Sequence, residues 1–322
     1  MLDANQAVRA ARRALRAVFA EDRFAIAALK DPLKSHETWV FRCKARGAGP
    51  TVVCKLSTAD ETGRARIRVQ YDRLRSVRAH MDGGRLTVPE PLALVEAEAA
   101  LLMRHVEGTT LARLLPDLPG LDEAAPYLEA AGGWLAAFQR PTLRQSVFDP
   151  KPHLNWLSKR LSGAAGQTPL VPDPERFGAA FDRLALQADA CKGLPSLRCV
   201  THRDFHLGNV IFAKDGGVCG LDLENHKEDD ALRDVVSFLF DLVVRGPAGP
   251  DDFARYQAAA ATFWRAYGDR TTAPAVLSWF QTFSALAAWA GLAGRADMNA
   301  TRRHKLQRLQ ALALSPLILP DT

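Results

Sequence analysis

Several features that would assign this chain to a familiar class of protein are missing from its sequence. Its five cysteines include no C-x-x-C pair, which argues against both a disulfide framework and a zinc site. Its longest apolar stretch, residues 277–292, is interrupted by Ser, Gln and Thr and falls short of a membrane-spanning helix. There is also no internal repeat and no low-complexity tail. What remains is the ordinary composition of a globular protein, with 48% hydrophobic and 24% charged residues.

Arginine is abundant and is concentrated in two predicted helices. The chain carries a formal net charge of +6, which is compatible with a nucleic-acid or membrane surface as partner. However, Ala and Leu interleave these arginines at helical spacing, and aromatic residues are scarce around them. This pattern favours solvated helix faces, so we expect no nucleic-acid partner. The two clusters are Arg9, Arg12, Arg13 and Arg16 and then Arg64, Arg66, Arg68, Arg73, Arg75 and Arg78.

The sequence begins Met-Leu-Asp and continues as the first of these Ala- and Arg-rich helical patterns. A secretory signal peptide has an apolar centre, which this segment lacks. We therefore expect a cytoplasmic protein that has no membrane span.

The most informative segment is T-H-R-D-F-H-L-G-N-V-I-F-A-K-D-G-G-V-C-G-L-D-L-E-N, residues 201–225. Two apolar strands, residues 210–213 and 218–221, flank a Lys-Asp-Gly-Gly sequence that carries the Asp-Gly signal of a tight reversal. Antiparallel pairing of these strands places Asn209 opposite Asp222. The segment therefore predicts a β-hairpin with an amide oxygen and a carboxylate together at one end.

Two further acidic residues belong to this pattern. Glu224 follows Asp222 by two residues, so a continuing strand would point both side chains to the same side. With Asn209 they form a set of hard oxygen ligands of the kind that holds Mg²⁺ while substrate phosphates complete its shell. Asp204 precedes Asn209 on a loop and can accept a proton from an incoming hydroxyl, which predicts phosphoryl transfer from a nucleotide. A single pair such as Asn209 and Asp222 is equally well explained as a solvated turn.

The motifs resemble those of a known family. H-R-D-F-H-L-G-N at residues 202–209, followed by G-L-D-L-E at residues 220–224, is similar to the catalytic and metal-binding signature of the aminoglycoside phosphotransferase and choline kinase superfamily. The sequence D-A-L-R-D, which ends at Asp234, resembles a family segment whose second Asp braces the catalytic loop. Only eight positions separate Asp222 from Asp230, which is too short for a protein-kinase activation loop and favours a small-molecule kinase.

The resemblance spans residues 24–295 and implies an α+β, two-lobed protein-kinase-like fold with an N-terminal β-sheet lobe and a larger helical C-terminal lobe. We expect the nucleotide-binding lobe at residues 1–104. The C-lobe, with the catalytic loop, metal hairpin and acceptor pocket, is expected at residues 105–322. Lys55 lies on a β-branched strand of the first lobe and is expected to bind the ATP phosphates. A lone Lys at a solvated strand edge is the alternative reading.

The resemblance implies roles for the other candidate residues. Asp204 would be the catalytic base, and Asn209 and Asp222 would be the Mg²⁺ ligands, with Glu224 as a metal ligand that contributes to a second ion. His202 and Asp234 would be structural supports of the loop. ATP would contact Met103 and His105 at the hinge between the lobes and Ser35 in the phosphate-covering turn.

The sequence departs from the family pattern at two places that are expected to bind the nucleotide. No G-x-G-x-x-G sequence lies near Ser35, and Gln70 stands where an acidic partner of Lys55 is expected. Asp60 is a second candidate for that partner, whereas Glu61 is explained by a capping box with Thr58. A neutral Gln orients an ammonium more weakly than a carboxylate does, so a nucleotide-binding module with little turnover stays open.

We therefore expect an ATP- and Mg²⁺-dependent phosphotransferase whose partner is a small hydroxylated acceptor such as an aminoglycoside, an amino alcohol or a sugar. The net positive charge weighs slightly against a polycationic aminoglycoside. A kinase of a macromolecule, such as lipopolysaccharide or a protein, is the other alternative. The remaining predicted helices contain five tryptophans, which are interpreted as core or, for some of them, as a wall of the acceptor pocket.

Overall fold

The chain folds into two compact units that are discontinuous in sequence. Unit 1 comprises Met1–Thr109 and Ile211–His226, and unit 2 comprises Thr110–Val210 and Lys227–Thr322. The computed structural model describes residues 3–19, 24–30, 38–47, 49–81, 84–162, 171–246, 252–292, 299–315 and 317–318.

The strands and helices of the described residues have the following bounds. The strands are β1 (Phe24–Lys30), β2 (Trp39–Ala45), β3 (Thr51–Leu56), β4 (Leu86–Thr87), β5 (Pro91–Val95), β6 (Ala100–Arg104), β7 (Gly108–Thr110), β8 (Arg144–Val147), β9 (Pro195–Val200), β10 (Val210–Ala213), β11 (Val218–Gly220) and β12 (Glu228–Asp230). The helices are α1 (Ala4–Val18), α2 (Glu61–Met81), α3 (Leu111–Leu114), α4 (Ala125–Gln139), α5 (Lys151–Ser162), α6 (Pro174–Leu186), α7 (Ala188–Cys191), α8 (Leu232–Arg245), α9 (Asp252–Tyr267), α10 (Pro274–Ala290) and α11 (Ala300–Leu314).

Unit 1 is built on an antiparallel sheet with the strand order β1-β2-β3-β6-β5. Strand β3 is central, and its Lys55 pairs with Val40 of β2 and Leu101 of β6. Because side chains alternate along a strand, Cys54 and Leu56 share one face and Lys55 points to the other. The alternative of a solvated edge lysine is therefore wrong.

Helix α1 covers the face of the sheet that Cys54 and Leu56 share. Its buried side consists of small residues, and Ala7, Ala11 and Ala14 belong to one core cluster with buried residues of β2, β3 and β6. The four arginines of this helix are exposed, as predicted. Small residues on one side and arginines on the other make α1 an amphipathic cover for the sheet.

The predicted β-hairpin is confirmed in unit 1. Strands β10 and β11 are neighbours, and the Ala213 amide donates to the Gly217 carbonyl at 2.8 Å. Gly216 adopts a φ of +82°, which is the left-handed conformation that the Asp-Gly signal indicates. Strand β11 also pairs in parallel with β4, so the hairpin is part of a second sheet in unit 1.

Unit 2 is mainly helical and contains one small antiparallel sheet of the order β12-β9-β8. Between α4 and residue 172 the sequence is rich in Pro, Ser and Gly, which is typical of a loop, but this stretch contains β8 and α5. The sequence of β8 is polar and largely exposed, so it has no apolar alternation to reveal it. Pro152 is the second residue of α5, a position where proline is compatible with a helix.

Three of the five tryptophans that were predicted to lie in the core are buried. Trp134, Trp279 and Trp289 are buried, whereas the Trp156 side chain is 41% exposed and lies under the Arg160 guanidinium. The five cysteines are free and buried, and burial raises the pKa of Cys43 and Cys219 to about 12. None of the described helices is both long and apolar enough to cross a membrane.

Two adjacent glycines of α4 offer a matched test of how this helix packs on α9. A Cβ at Gly132 would lie 2.4 Å from the Phe263 carbonyl oxygen, whereas a Cβ at Gly133 meets nothing within 4 Å in the described part of the chain. We expect Gly132→Ala to lower the free energy of unfolding by about 1–3 kcal/mol through overpacking. Gly133→Ala should raise it by about 0.5–1 kcal/mol because Ala is the better helix former. Urea unfolding of both variants measures this, and equal effects would contradict the packing described.

Candidate active site

Lys55 is a buried charge in unit 1. Its relative exposure is 6%, and its Nζ donates to Asp222 Oδ1 and, at 2.6 Å, to Glu224 Oε1. Burial alone would lower the pKa of Lys55, but the two carboxylate charges and their hydrogen bonds raise it above its ordinary value. Lys55 is therefore an ammonium at neutral pH, held by two carboxylates.

The two carboxylates converge for a reason that differs from the predicted one. Strand β11 ends at Gly220 and does not continue to Glu224. Asp222 instead adopts a φ of 65°, and the Glu224 amide donates to the Asp222 carbonyl at 3.1 Å. This three-residue turn, rather than strand alternation, brings both side chains to Lys55.

Gln70 and Asp60, the two candidates for the acidic partner of Lys55, have other contacts. Gln70 is a buried residue of α2 and donates through Nε2 to Asp222 Oδ1 at 3.3 Å. Asp60 precedes α2 and accepts from the Gly63 amide at 2.7 Å, a bond that lowers the pKa of its carboxyl group. Asp60 is thus the N-cap of the helix, and the capping box predicted between Thr58 and Glu61 was wrong. Asp222 and Glu224 take the part that was expected of an acidic residue on α2.

The other residues proposed to contact the nucleotide lie along β6 and beyond. Met103 is buried and pairs with Val53 of β3, and the His105 amide donates to the Thr51 carbonyl at 3.1 Å. Burial and the charge of Arg42 lower the pKa of His105. Ser35 lies outside the described residues.

Asp204 and Asn209 meet in unit 2, on the loop that follows β9. Asn209 Nδ2 donates to the Asp204 backbone carbonyl at 2.8 Å and to its Oδ2 at 3.2 Å. The Asp204 side chain is 65% exposed, whereas the next residue, Phe205, is buried between Trp134 and Phe238. A buried aromatic anchor therefore holds a loop whose carboxylate faces solvent.

Asp234 is fully buried in α8 and holds the start of this loop. Its Oδ2 accepts from the His202 amide at 2.7 Å and its Oδ1 from the Arg203 amide at 2.8 Å. Gln139 Nε2 donates to Asp234 at 2.9 Å, and Tyr267 donates to Gln139 at 2.6 Å. Burial raises the pKa of Asp234, and the charge of His202 and these hydrogen bonds oppose that shift. The chain of contacts ties the loop to α4, α8 and α9.

Arg203 is strained in the turn that Asp234 holds. Its φ is 68°, in the left-handed region that a bulky L-residue rarely adopts. Strain of this kind persists only where surrounding contacts impose it, and here the Asp234 carboxylate fixes the Arg203 amide. His202 is buried against Trp134 and Phe138, which suits a supporting position.

Three residues outside the loop that help to hold it through hydrogen bonds were not predicted from the sequence. Gln139 and Tyr267 gave no local signal, since a polar residue within an apolar helix does not reveal its distant partner. Asp241 accepts from the Leu207 amide at 3.2 Å and lies seven positions after Asp234 on α8. A spacing of seven places two residues on one helix face, so this carboxylate had a readable signal.

The proposed metal ligands are chemically suited to Mg²⁺. Asp222 and Glu224 are acceptor-only carboxylates in unit 1 with side-chain exposures of 32% and 41%. In unit 2, the Asn209 amide nitrogen is used by Asp204, which leaves its Oδ1 as a hard oxygen donor. No cluster of three or more His, Cys, Asp or Glu residues suited to a metal occurs within the described ranges. Each of these groups is therefore an oxygen donor of the kind that Mg²⁺ binds, and Mg²⁺ usually takes the rest of its shell from phosphate and water.

Comparisons with known proteins bear on the family and the fold of this chain. Residues 9–280 match the family model described as APH, phosphotransferase enzyme family. The chain is similar to the GDP and kanamycin complex of APH(2")-IIia, with 13% identity over 93% of this chain and 97% of that chain and a TM-score of 0.57. No curated protein sequence matches this chain.

Two further solved structures resemble this fold. Amicoumacin kinase hAmiN, in complex with AMP-PNP, Ca²⁺ and Ami, is 13% identical over 96% of this chain and 98% of that chain, with a TM-score of 0.56. Choline kinase LicA from Streptococcus pneumoniae is 13% identical over 94% and 97% of the two chains, with a TM-score of 0.54. These identities show the fold alone, and the predicted fold class is confirmed.

Removing the charge of Lys55 tests its ion pairs with Asp222 and Glu224 in unit 1. We expect Lys55→Met to lower the free energy of unfolding by about 1–3 kcal/mol, because Asp222 and Glu224 would repel each other, with their partial exposure limiting the cost. Lys44→Met, at an exposed position of β2 in the same sheet, should stay within about 0.5 kcal/mol of the parent. Chemical unfolding measures both, and similar losses in the two variants would contradict the arrangement.

Replacing Asp234 tests the loop in unit 2. In Asp234→Asn, an amide group would face backbone N–H donors, so at least one buried donor loses its acceptor. We expect the free energy of unfolding to fall by about 2–4 kcal/mol. Hydrogen exchange should show lost protection at the His202 and Arg203 amides. Retained protection at these two amides would show that Asp234 does not hold the loop.

Proposed function

The chain belongs to the phosphotransferase enzyme family, and from this premise we propose that it transfers the γ-phosphate of ATP to a hydroxyl group of a small molecule. The observation that carries the proposal is the buried Lys55 ammonium between Asp222 and Glu224. A buried cation beside two half-exposed carboxylates suits a site for phosphate groups and a metal together. The nucleotides in the complexes of hAmiN and APH(2")-IIia give further support.

The proposed chemical step uses the loop in unit 2 that carries Asp204. The acceptor oxygen attacks the γ-phosphorus, and the bond between that phosphorus and the β–γ bridging oxygen breaks. ADP leaves, and the hydroxyl proton passes to the Asp204 carboxylate. Asn209 orients that carboxylate through its bond to Oδ2. His202 and Asp234 hold the loop in position.

The nucleotide contacts are proposed for unit 1. Lys55 would bind oxygens of the α- and β-phosphates, and Met103 and His105 would lie against the base. When bound, Mg²⁺ supplies charge that offsets the negative charge developing on the phosphates. Asn209, Asp222 and Glu224 would hold it.

A mutation of the proposed base tests the activity. We expect Mg²⁺-dependent ADP release from ATP to be stimulated by at least one pool from a panel of hydroxylated acceptors. Asp204→Asn should lower kcat by about 10²–10⁴-fold, the usual contribution of a general base. Asp182→Asn, at an exposed position of α6, is the matched control and should leave kcat unchanged. A fully active Asp204→Asn enzyme would refute the proposed role.

A further inference from the structure

A cavity of about 330 Å³ lies within unit 2 beside the loop that carries Asp204. Its walls come from this loop and from α8, α10 and α11. The volume is at the lower end of the range for small-molecule sites, roughly 300–1,000 Å³. The cavity therefore suits a compact ligand.

The charge of the lining is predominantly positive. Arg203, Arg233, Arg245 and Lys305 line the cavity, and Asp241 is the one carboxylate among its described lining residues. Asp229, which is outside the lining, pairs with Arg233 at 2.6 Å and with Arg203 at 3.3 Å. Asp241 pairs with Arg245 at 2.7 Å. Counting only the three arginines, Lys305 and their ion-pair partners, four cations are set against two carboxylates, an excess of two positive charges.

Lys305 accounts for part of this excess. It projects from α11, is half-buried, and has no ion-pair partner in the described part of the chain. Taking an ammonium partly out of water costs free energy that an anionic partner offsets. A ligand with a negative charge would supply that partner.

His206 connects the cavity to the proposed reaction centre. It lines the cavity, and its Nε2 lies 3.7 Å from Asp204 Oδ2. Its Nδ1 accepts from the Gly208 amide at 3.0 Å, so the neutral ring carries its proton on Nε2, towards Asp204. One wall of the cavity therefore lies next to the Asp204 carboxylate.

The rest of the lining is mixed in character. Ser237 and Ser284 offer hydroxyl groups, and Phe240 and Phe283 offer apolar surface. Such walls suit the carbon frame and hydroxyl groups of a metabolite, while the cations select its charge.

We propose that the acceptor is a small hydroxylated molecule that carries an anionic group, either a carboxylate or a phosphate, and that Lys305 and Arg233 bind this group. The inference rests on the proposed function and deepens it by naming the class of acceptor. The acceptor hydroxyl attacks the γ-phosphorus, its proton passes to Asp204, and ADP leaves. The product is a phosphate monoester that keeps the original anionic group.

The first test is kinetic and uses the full-length protein. ADP release from Mg-ATP is measured with separate pools of hydroxy acids, sugar phosphates, neutral sugars, amino alcohols and aminoglycosides. We expect an anionic pool to stimulate best, and the first two pools distinguish carboxylate from phosphate. Asp204-dependent stimulation by a neutral or cationic pool alone would overturn the inference while leaving the proposed function intact.

Lys305 provides the specific variant. For the stimulating anionic acceptor, Lys305→Gln should raise KM about tenfold or more, with kcat and the KM for ATP little changed. Lys305→Arg should restore most of the binding. Arg303→Gln, at an exposed position on the same helix, is the control and should leave all three constants unchanged. A rise in the KM for ATP instead would place the nucleotide in the cavity and overturn the inference.

A binding measurement separates the two proposals if turnover is slow. Calorimetric titration of the protein with glycerate, glycerol 3-phosphate, glycerol and choline should show binding of the anions, weakened about tenfold by Lys305→Gln. Anion binding without Asp204-dependent ADP release would sustain the anion site but refute the proposed activity. Preference for choline, or anion binding that is insensitive to Lys305, would overturn the site.

Discussion

The ammonium of Lys55 needs a counter-charge, and much of unit 1 is arranged around that need. A lysine on the central strand of a buried sheet is costly unless its charge is paired. Its partners, Asp222 and Glu224, come 167 and 169 residues later in the chain. The chain must therefore return to unit 1 after building a large part of unit 2, and the hairpin of β10 and β11 is the segment that returns.

Unit 2 also contains a buried charge that must be balanced, but there the charge is negative. The buried carboxylate of Asp234 is balanced by backbone amides of the loop and by Gln139. Both units also contain a non-glycine residue in the left-handed region, Asp222 in one and Arg203 in the other. In each unit, the contacts of a buried charge hold the strained turn in place. The same contacts that position the side chains of the candidate site therefore also maintain the backbone strain.

The sequence predicted what depends on neighbouring residues. The Asp-Gly turn, the strands around Lys55 and the amphipathic α1 all follow from local patterns and occur as expected. Long-range partners were not predictable, because no local pattern states that Lys55 meets Glu224 or that Tyr267 reaches Gln139. Strand β8 was missed because a polar, exposed strand is recognised only through its pairing with β9.

The division of unit 1 into two stretches of sequence also sets the order in which the protein can be completed during translation. Residues 1–109 leave the ribosome first, and residues 211–226 follow several seconds later at about 5–20 residues per second. Throughout that interval the emerging sheet contains an ammonium whose two carboxylates have not yet been synthesised. Residues 1–109 can therefore reach their final structure only late in synthesis, although they are translated before residues 211–226.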